Sequence, residues 1–378
     1  MKVLQVIDTL QVAGAEVLLR DLVLGLARMK VECEVYVLRR SGSLLARSLE
    51  DGGIPVHAPS ASSIYSPLHI LRLAAHLRRH HYDLIHVHLF PAQLWVALAA
   101  RMASVAAPLI TTEHCAWNYR RHSWCRPLDR WMYGKYDAIA AVTADTARAL
   151  IEWLPEVEPR TFVCLNGVDW NRFQAATASA IPGVPRGAFT ILSVGRLVHQ
   201  KDHATTIRAL AAVPGAHLVI VGSGSDLRDH RQLAAALNVE GRVHFLGVRN
   251  DVAGLLKASD VFVQSSRFEG FGIAALEAMA SGLAVVASRV PGLQEVVGNS
   301  GLLFHPGDHG ALAGHLRTLA GSTDLRRKLG ASAAMRARQF AFEQTIRGYL
   351  HLYDRVLSGE RELRPEIRDP GLPAERCA

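Results

Sequence analysis

The stretch SRFEGFGIAALEAMASG at residues 266–282 places two carboxylates eight positions apart around a Gly-Phe-Gly turn. The Ala-, Leu- and Met-rich segment after the turn predicts a helix. Glu269 before the helix and Glu277 two turns inside it could line one groove, since eight residues make two turns plus about 80°. The turn, Gly270-Phe271-Gly272, would let N–H groups at the helix N-terminus approach a phosphate. These features suit a nucleotide diphosphate sugar; the alternative is a surface loop before an amphipathic helix.

Short apolar runs rich in Val and Ile alternate with helical stretches along both halves of the chain. This alternation predicts an α/β protein with parallel sheets covered on both faces. The predicted strands are 2–7, 34–38, 84–88, 108–112 and 138–142 in the first half, and 189–194, 217–221, 243–247, 260–264 and 283–288 in the second.

Two turns after predicted strands of the second half are candidate anion sites. Gly195 and Arg196 follow the strand 189–194, with Lys201 five residues further on, and ligands bind at the carboxyl ends of parallel strands. Gly222-Ser223-Gly224 follows the strand 217–221 and is similar to a dinucleotide fingerprint. Leu227 stands where a third glycine would be, so this second signal is weak.

The chain of 378 residues is long enough for two domains, each with its own core. Residues 173–187 are rich in Ala, Ser, Pro and Gly and lack a clear period, so we place a linker there, between domains at 1–172 and 188–341. Residues 342–357 predict a helix. Alternating charges and prolines at 360–378 are typical of a disordered tail.

Taken together, these residues resemble the retaining GT-B glycosyltransferases of family 4, glycosyl transferases group 1. The resemblance runs in the correct order from residue 2 to about residue 355. The residues that carry it are Gly14-Ala15-Glu16, Glu113-His114, Asn166-Gly167-Val168-Asp169, Gly195-Arg196, Lys201-Asp202, Gly222-Ser223-Gly224, Glu269 to Glu277, and Pro291-Gly292-Leu293-Gln294-Glu295.

The resemblance implies GT-B architecture, in which two Rossmann-like domains face a central cleft. The first domain would bind the acceptor, the second the nucleotide sugar, and the helix at 342–357 would cross back onto the first. Arg196 and Lys201 would neutralise the departing diphosphate, Glu269 would bind the donor sugar, and His114 would lie near the reacting centre. The donor would also contact Gly14, Gly195, Gly222, Gly224, Arg249, Gly270, Phe271, Gly272 and, through the ribose hydroxyls, Glu277.

One residue departs from the family's pattern. The usual turn has two glycines, whereas this chain has Ala13 before Gly14, which makes phosphate contact at Ala13 less secure. Each site residue also has a structural reading: Glu277 as a solvated helix carboxylate, Arg196 as a surface ion-pair partner, and His114 as a structural histidine. Asp8, Asn166 and Asp169 are better read as turn or cap residues.

No metal signature is evident in the sequence. There is no Asp-x-Asp triplet, and His86 and His88 share a strand face without a third ligand nearby, so neither a metal nor another cofactor is expected. The five cysteines are scattered, which favours reduced thiols in the cytoplasm. The absence of a leader or a long apolar run agrees with that location.

A basic stretch with interleaved tryptophans occupies residues 55–135, which hold nine cations and three anions. Such a surface suits anionic lipid headgroups, an anionic acceptor or plain solvation. For peripheral membrane contact the candidates are Arg120, Arg121, Arg126, Trp117 and Trp124. Nucleic acid is the weaker interpretation, because no recognised binding module accompanies the charge.

The sequence therefore predicts a metal-independent, retaining glycosyltransferase that uses a nucleotide diphosphate sugar, with UDP or GDP as the favoured carriers, and a saccharide or lipid-linked acceptor. Two alternatives stay open. A nucleotide-sugar epimerase of GT-B fold would release a rearranged sugar without an acceptor. A non-catalytic nucleotide-sugar-binding subunit would have less need of Arg196, Lys201, Glu269 and Glu277 together.

Overall fold

The computed structural model describes residues 1–11, 14–40, 42–59, 63–116 and 120–360. They form two compact units: unit 1 is Met1–Asn166 with the segment from Glu343 onward, and unit 2 is Gly167–Phe342. Ala13, Trp117, Tyr119 and the tail after residue 360 lie outside the described residues, and so do the predictions made for them.

Unit 1 is built on a parallel sheet whose described strands lie in the order β3-β2-β1-β4-β5-β6-β7. The strands are β1 (Lys2–Ile7), β2 (Glu32–Val37), β3 (Val56–His57), β4 (Leu84–His88), β5 (Leu109–Glu113), β6 (Ala138–Ala141) and β7 (Thr161–Val163). The helices are α1 (Gly14–Arg28), α2 (Leu44–Asp51), α3 (Leu68–Arg79), α4 (Ala92–Ala103), α5 (Arg126–Tyr133) and α6 (Ala144–Trp153).

Unit 2 repeats the scheme with a described parallel sheet in the order β10-β9-β8-β11-β12-β13. Its strands are β8 (Thr190–Val194), β9 (His217–Val221), β10 (Val243–Phe245), β11 (Val261–Gln264), β12 (Ala284–Ser288) and β13 (Leu302–Phe304). Its helices are α7 (Trp170–Ala175), α8 (His203–Ala211), α9 (Leu227–Ala236), α10 (Val252–Lys257), α11 (Ile273–Ala280), α12 (Pro291–Val297), α13 (His309–Gly321) and α14 (Thr323–Ala337). The last helix of the described chain is α15 (Phe342–Leu357).

The central strands are apolar on both faces because helices cover both sides of each sheet. Val87 of β4 and Ile139 of β6 are fully buried in one core, and Ile220 of β9 and Val263 of β11 are fully buried in the other. The predicted α/β fold with two Rossmann-like domains is confirmed. No helix in the described part of the chain is both long and apolar enough to cross a bilayer.

The division between the units differs from the predicted linker at 173–187, because the chain passes into unit 2 after Asn166. The segment packs on unit 2 through its own polar groups. Gln174 Nε2 donates to the Ala280 carbonyl at 2.5 Å, and Ser179 N donates to the Gly254 carbonyl at 2.9 Å. A segment without helical or strand periodicity can therefore still be held tightly by hydrogen bonds.

From Glu343 onward, α15 belongs to unit 1. Tyr349 and Tyr353, one helical turn apart, are fully buried there. Their hydroxyls bond to side chains of β1, β4 and β5, so this helix supplies polar as well as apolar contacts to the core.

Candidate active site

The strand order of each sheet reverses between two neighbouring strands, β1 and β4 in unit 1 and β8 and β11 in unit 2. In open α/β sheets, ligands bind beyond the carboxyl ends of the strands at such a point. In unit 1 these ends carry Asp8 and His88, and in unit 2 they carry Gly195 and Gln264. The candidate residues predicted from the sequence cluster at these two places.

An ion pair between Lys201 and Glu269 forms the centre of the unit 2 site. Lys201 Nζ lies 2.5 Å from Glu269 Oε2, and the two side chains are only 18% and 12% exposed. The same oxygen accepts hydrogen bonds from Gln264 Nε2 at 2.7 Å and Ser266 Oγ at 3.2 Å. Three donors thus fix the carboxylate before any ligand arrives.

The turn that carries Lys201 is held in a strained conformation. Asp202, directly after Lys201, has φ of +46°, a region that residues other than glycine rarely adopt. Its backbone carbonyl accepts from Ser265 Oγ at 2.8 Å, and its carboxylate accepts from Thr205 Oγ1 at 2.9 Å. Strain held in this way fixes the direction of the neighbouring lysine.

The glycines of the two β-strand turns have a packing role. A Cβ at Gly222, where φ is +140°, would lie 2.0 Å from the Gly195 carbonyl oxygen. A Cβ at Gly224 would lie 2.1 Å from the Leu197 carbonyl oxygen. The turn after β9 therefore packs directly on the turn after β8, and this contact explains both glycines without a ligand.

The N-terminus of α11 lies at the same end of the sheet as Glu269, because the helix follows the strand β11. Gly272 caps this helix with φ of +101° and without a side-chain hydrogen bond to the helix N-terminus. Phe271 is buried and packs edge-on against Phe340, so only its backbone could contact a ligand. Since the helix begins at Ile273, Glu277 lies a little over one turn inside it, not the predicted two turns.

The two predicted arginines differ in their surroundings. Arg196 is exposed, and its guanidinium lies 3.5 Å from Gln200 Oε1, so the cation stands at the solvent edge of the site. Arg249 is half-buried and forms two hydrogen bonds with Asp251, at 2.8 and 2.7 Å. Arg249 would have to leave Asp251, or share it, to bind a nucleotide.

His114 of unit 1 is oriented by a second histidine. His114 Nε2 lies 3.2 Å from His88 Nδ1, and His88 Nε2 lies 2.9 Å from Gln5 Oε1. Because the amide oxygen of Gln5 can only accept, His88 donates from Nε2 and accepts at Nδ1. Burial lowers the pKa of His114 to about 4, so the ring is neutral near pH 7 with its proton on Nε2. Its Nδ1 lone pair is then the acceptor.

The chain of hydrogen bonds continues from Gln5 to the last helix. Gln5 Nε2 donates to the Tyr353 hydroxyl at 3.0 Å, which in turn donates to His86 Nδ1 at 2.7 Å. His86 Nε2 then donates to Thr112 Oγ1 at 2.7 Å, and Tyr349 lies 3.2 Å beyond. His86 and His88 are therefore satisfied by hydrogen bonds. From their spacing these histidines could be interpreted only as potential metal ligands, and no sequence pattern indicated that they position His114.

The other polar residues at this edge of unit 1 have structural partners. Asp8 Oδ1 accepts from Ala92 N, the first residue of α4, at 2.9 Å, so Asp8 supports the start of a helix distant in sequence, whose own N-cap residue is Pro91. Burial raises the pKa of Asp8 to about 7. Glu113 is buried and accepts from Gln93 and Tyr133, so it supports the strand end that carries His114. Gly14 is the first residue of α1 and is exposed.

The predicted membrane-facing arginines are not equivalent. Arg120 is 6% exposed, pairs with Asp129 at 3.1 Å, and lies over the Phe90 ring, so its assignment to a membrane surface is wrong. Arg121 donates to the Ala149 carbonyl. Trp124, by contrast, is 79% exposed. The charge pattern of the sequence could not predict that Arg120 is buried in an ion pair with Asp129, nine residues away.

Comparison with known protein families gives two matches along the chain. The family described as Glycosyltransferase Family 4 matches residues 12–172, and the family described as Glycosyl transferases group 1 matches residues 175–336. The chain is 31% identical over 325 residues to D-inositol 3-phosphate glycosyltransferase of Salinispora arenicola, a match that covers 76% of this chain and 72% of the relative.

The chain is also similar to a second glycosyltransferase over part of its length and to a solved structure over most of its length. The chain is 35% identical over 171 residues to the lipopolysaccharide core biosynthesis glycosyltransferase LpsE of Rhizobium meliloti; this covers 44% of the chain and spans 50% of the relative's length. The crystal structure of HepE from Anabaena in complex with UDP and glucose superimposes with a TM-score of 0.80 at 24% identity, over 95% of this chain and all of that one.

Proposed function

Because the chain belongs to the group 1 glycosyl transferases of glycosyltransferase family 4, we propose that it transfers a sugar from a nucleotide diphosphate sugar to a hydroxyl of a saccharide or lipid-linked acceptor, in glycan biosynthesis and with retention at the anomeric carbon. The observation that carries this proposal is the Lys201–Glu269 pair beside the N-terminus of α11. A cation, a fixed carboxylate and the N-terminus of a helix meet there at one sheet edge.

The charges of these groups match those of a departing diphosphate. As the bond from the anomeric carbon to the diphosphate oxygen breaks, negative charge grows on the leaving group. Lys201 and Arg196 would stabilise that charge, together with N–H groups around Gly270 and Gly272. These fixed cations can do the work of a metal ion, so we propose that the reaction needs none.

The acceptor hydroxyl would attack from the face that the diphosphate leaves. Its oxygen forms the new bond to the anomeric carbon, and its proton passes to a departing phosphate oxygen, which balances the step and retains the configuration. In this scheme His114 is a positioning and binding group. Its neutral ring offers Nδ1 to a substrate hydroxyl, because Nε2 donates to His88.

The carboxylates would select the donor. Glu269 would accept hydrogen bonds from sugar hydroxyls and Glu277 from the ribose. The Gln264 side-chain oxygen is buried without a hydrogen-bond partner among the described residues, and a bound hydroxyl would satisfy it. Arg249, Gly14, Gly195, Gly222, Gly224 and Phe271 complete the proposed donor contacts, the last through its backbone.

The relatives support the substrate classes. The HepE structure holds UDP and glucose, which favours a UDP-sugar as donor over a GDP-sugar. LpsE is named for lipopolysaccharide core biosynthesis, and the Salinispora arenicola enzyme for D-inositol 3-phosphate. D-inositol 3-phosphate carries an anionic phosphate, and by analogy we propose an anionic acceptor for this chain.

We also propose that the protein binds peripherally to an anionic membrane. Trp124 and Leu128 are exposed, at 79% and 41%, close to the cations Arg126 and Arg130 in the sequence. An aromatic anchor beside cations suits a headgroup region. Co-sedimentation with anionic vesicles should fall in Trp124→Ala and at high salt. Equal, negligible binding to anionic and neutral vesicles at low salt would refute the membrane contact.

A panel of UDP-, GDP-, ADP- and dTDP-sugars tests the main proposal, scored by thermal shift and by nucleotide release. We expect one nucleotide class to raise the melting temperature and to be released faster with an acceptor extract. A rearranged free sugar without acceptor would identify an epimerase. Binding without turnover under all conditions would identify a binding subunit.

A further inference from the structure

A group of histidines surrounds a buried carboxylate at the amino-terminal edge of the unit 1 sheet. Glu34 lies near the start of β2, and Lys2 begins β1. Tyr36 pairs with His57 of β3, so Glu34, two residues before Tyr36, shares a sheet face with His57. Since α3 precedes β4, its last turn, with His76, lies where β4 begins. The candidate active site is at the opposite edge.

The contacts within this group are short. Glu34 Oε2 lies 2.8 Å from His57 Nε2 and accepts from the Tyr82 hydroxyl at 2.7 Å. That hydroxyl lies 2.8 Å from His76 Nε2. The other carboxylate oxygen, Oε1, pairs with Lys2 Nζ at 2.7 Å.

The donor set is that of a metal site. One potential ligand atom each from Glu34, His57 and His76 lies within 4.8 Å of the other two. In a tetrahedral zinc site, ligand distances of about 2.0–2.2 Å place neighbouring ligand atoms about 3.3 Å apart. The Glu34–His57 contact would have to open by only about 0.5 Å to reach that spacing.

The surroundings favour neutral imidazoles around an ionised carboxylate. Burial, then the neighbouring His57 and His80, lowers the pKa of His76 to about 4, so its ring is neutral at pH 7. Hydrogen bonds from Lys2, Tyr82 and His57 outweigh burial and lower the pKa of Glu34 to about 2. Lys2 keeps its place on Oε1, where it would orient the carboxylate as an outer partner.

We propose that Glu34, His57 and His76 form a binding site for a divalent transition metal of the zinc class, with water in the fourth position. His57 is 31% exposed, which gives an ion access from solvent. The bound metal would join β2, β3 and the end of α3. Its role would be structural, and it would have no part in sugar transfer at the other edge of the sheet. This proposal is independent of the proposed function.

Titration of untagged, chelator-treated protein with Zn²⁺ by calorimetry, and with Co²⁺ by visible absorption, tests the site. We expect one equivalent to bind in the micromolar range or tighter, with the strong d–d bands of tetrahedral Co²⁺. His57→Asn and Glu34→Gln should each weaken binding at least about 10-fold. Transferase activity should not change in His57→Asn.

The His217–His244 pair of unit 2 supplies the control. Its ring nitrogens lie 2.9 Å apart without a carboxylate in the contact. His217→Asn should therefore leave Zn²⁺ binding at Glu34, His57 and His76 unchanged. Circular dichroism verifies that each variant is folded. The Zn²⁺-dependent rise in melting temperature should be lost in His57→Asn and retained in His217→Asn. Binding unaffected by His57→Asn in folded protein, or no binding below millimolar Zn²⁺, would overturn the proposal.

Discussion

Replacement of Lys201 by Met is the sharpest test of the proposed chemistry. The lysine stem lies against Gly195, with Cδ 3.5 Å from where a Cβ would stand, and the Met side chain can keep much of this packing while it loses the charge. A unit charge about 4 Å from the ammonium gains about 4 kcal/mol at an effective dielectric constant near 20. Lys201 is 18% exposed and shares its charge with Glu269, which reduces the gain.

We therefore expect about 2.7 kcal/mol of lost transition-state stabilisation, or a fall in kcat of roughly 10²-fold. Steady-state nucleotide release with saturating donor measures it. Glu269 keeps its bonds from Gln264 and Ser266, so the melting temperature should change little. Lys328→Met, at an exposed position of α14, is the matched control and should retain activity. Turnover within about threefold of the parent in folded Lys201→Met would refute the reasoning.

Four further results are expected. Glu277→Gln should mainly weaken nucleotide binding in calorimetry, whereas Glu269→Gln should mainly slow transfer; the reverse would mean that their roles are exchanged. Activity should survive EDTA because, in the proposed mechanism, Arg196 and Lys201 would neutralise the diphosphate; a loss of activity that Mg²⁺ or Mn²⁺ restores would contradict this. Asp8 has its folded-state pKa raised to about 7 from 3.8, so the native state binds more protons between about pH 4 and 7 and loses stability as the pH rises through that window. Asp8→Asn keeps an acceptor for Ala92 N and should be more stable than the parent by about 2–4 kcal/mol at pH 8. Above about pH 7 the unfolding free energies of the two proteins should depend on pH in the same way. Urea unfolding at several pH values measures both effects. Tyr353→Phe removes the hydrogen-bond partner of Gln5 Nε2 and of His86 Nδ1 and should cost about 1–3 kcal/mol of unfolding free energy, whereas Tyr65→Phe, at an exposed position, should cost little.

The strands that could be predicted from the sequence are the longer ones, which are buried on both faces of their sheet. β9 and β4 begin and end at the predicted residues, because Val, Ile and Leu fill most of their positions and favour a buried strand. The two residues of β3 and the three of β13 are too short to produce such a pattern. The helix predicted at 342–357 has the same bounds in the structure.

The candidate site was predicted where its residues follow neighbouring strands. Lys201 and Glu269 come after β8 and β11, which are adjacent, so their meeting follows from topology. The His88–Gln5–Tyr353 chain could not be predicted in the same way, since Tyr353 lies 348 residues from Gln5 and no pattern pairs them. Arg120 was predicted at the surface because of its charge, yet it is buried in an ion pair with Asp129.

The contribution of α15 to unit 1 has a consequence during synthesis. Tyr349 bonds to Thr112, 237 residues earlier in the chain. At about 5–20 residues per second, a ribosome needs roughly 12–47 s to reach Tyr349 after Thr112 has been added. Unit 2 is translated completely within that interval, while buried polar groups of unit 1 still await their partners. The amino-terminal unit is thus begun first and finished last, and a nascent chain arrested before residue 342 would present these open groups to proteases and chaperones.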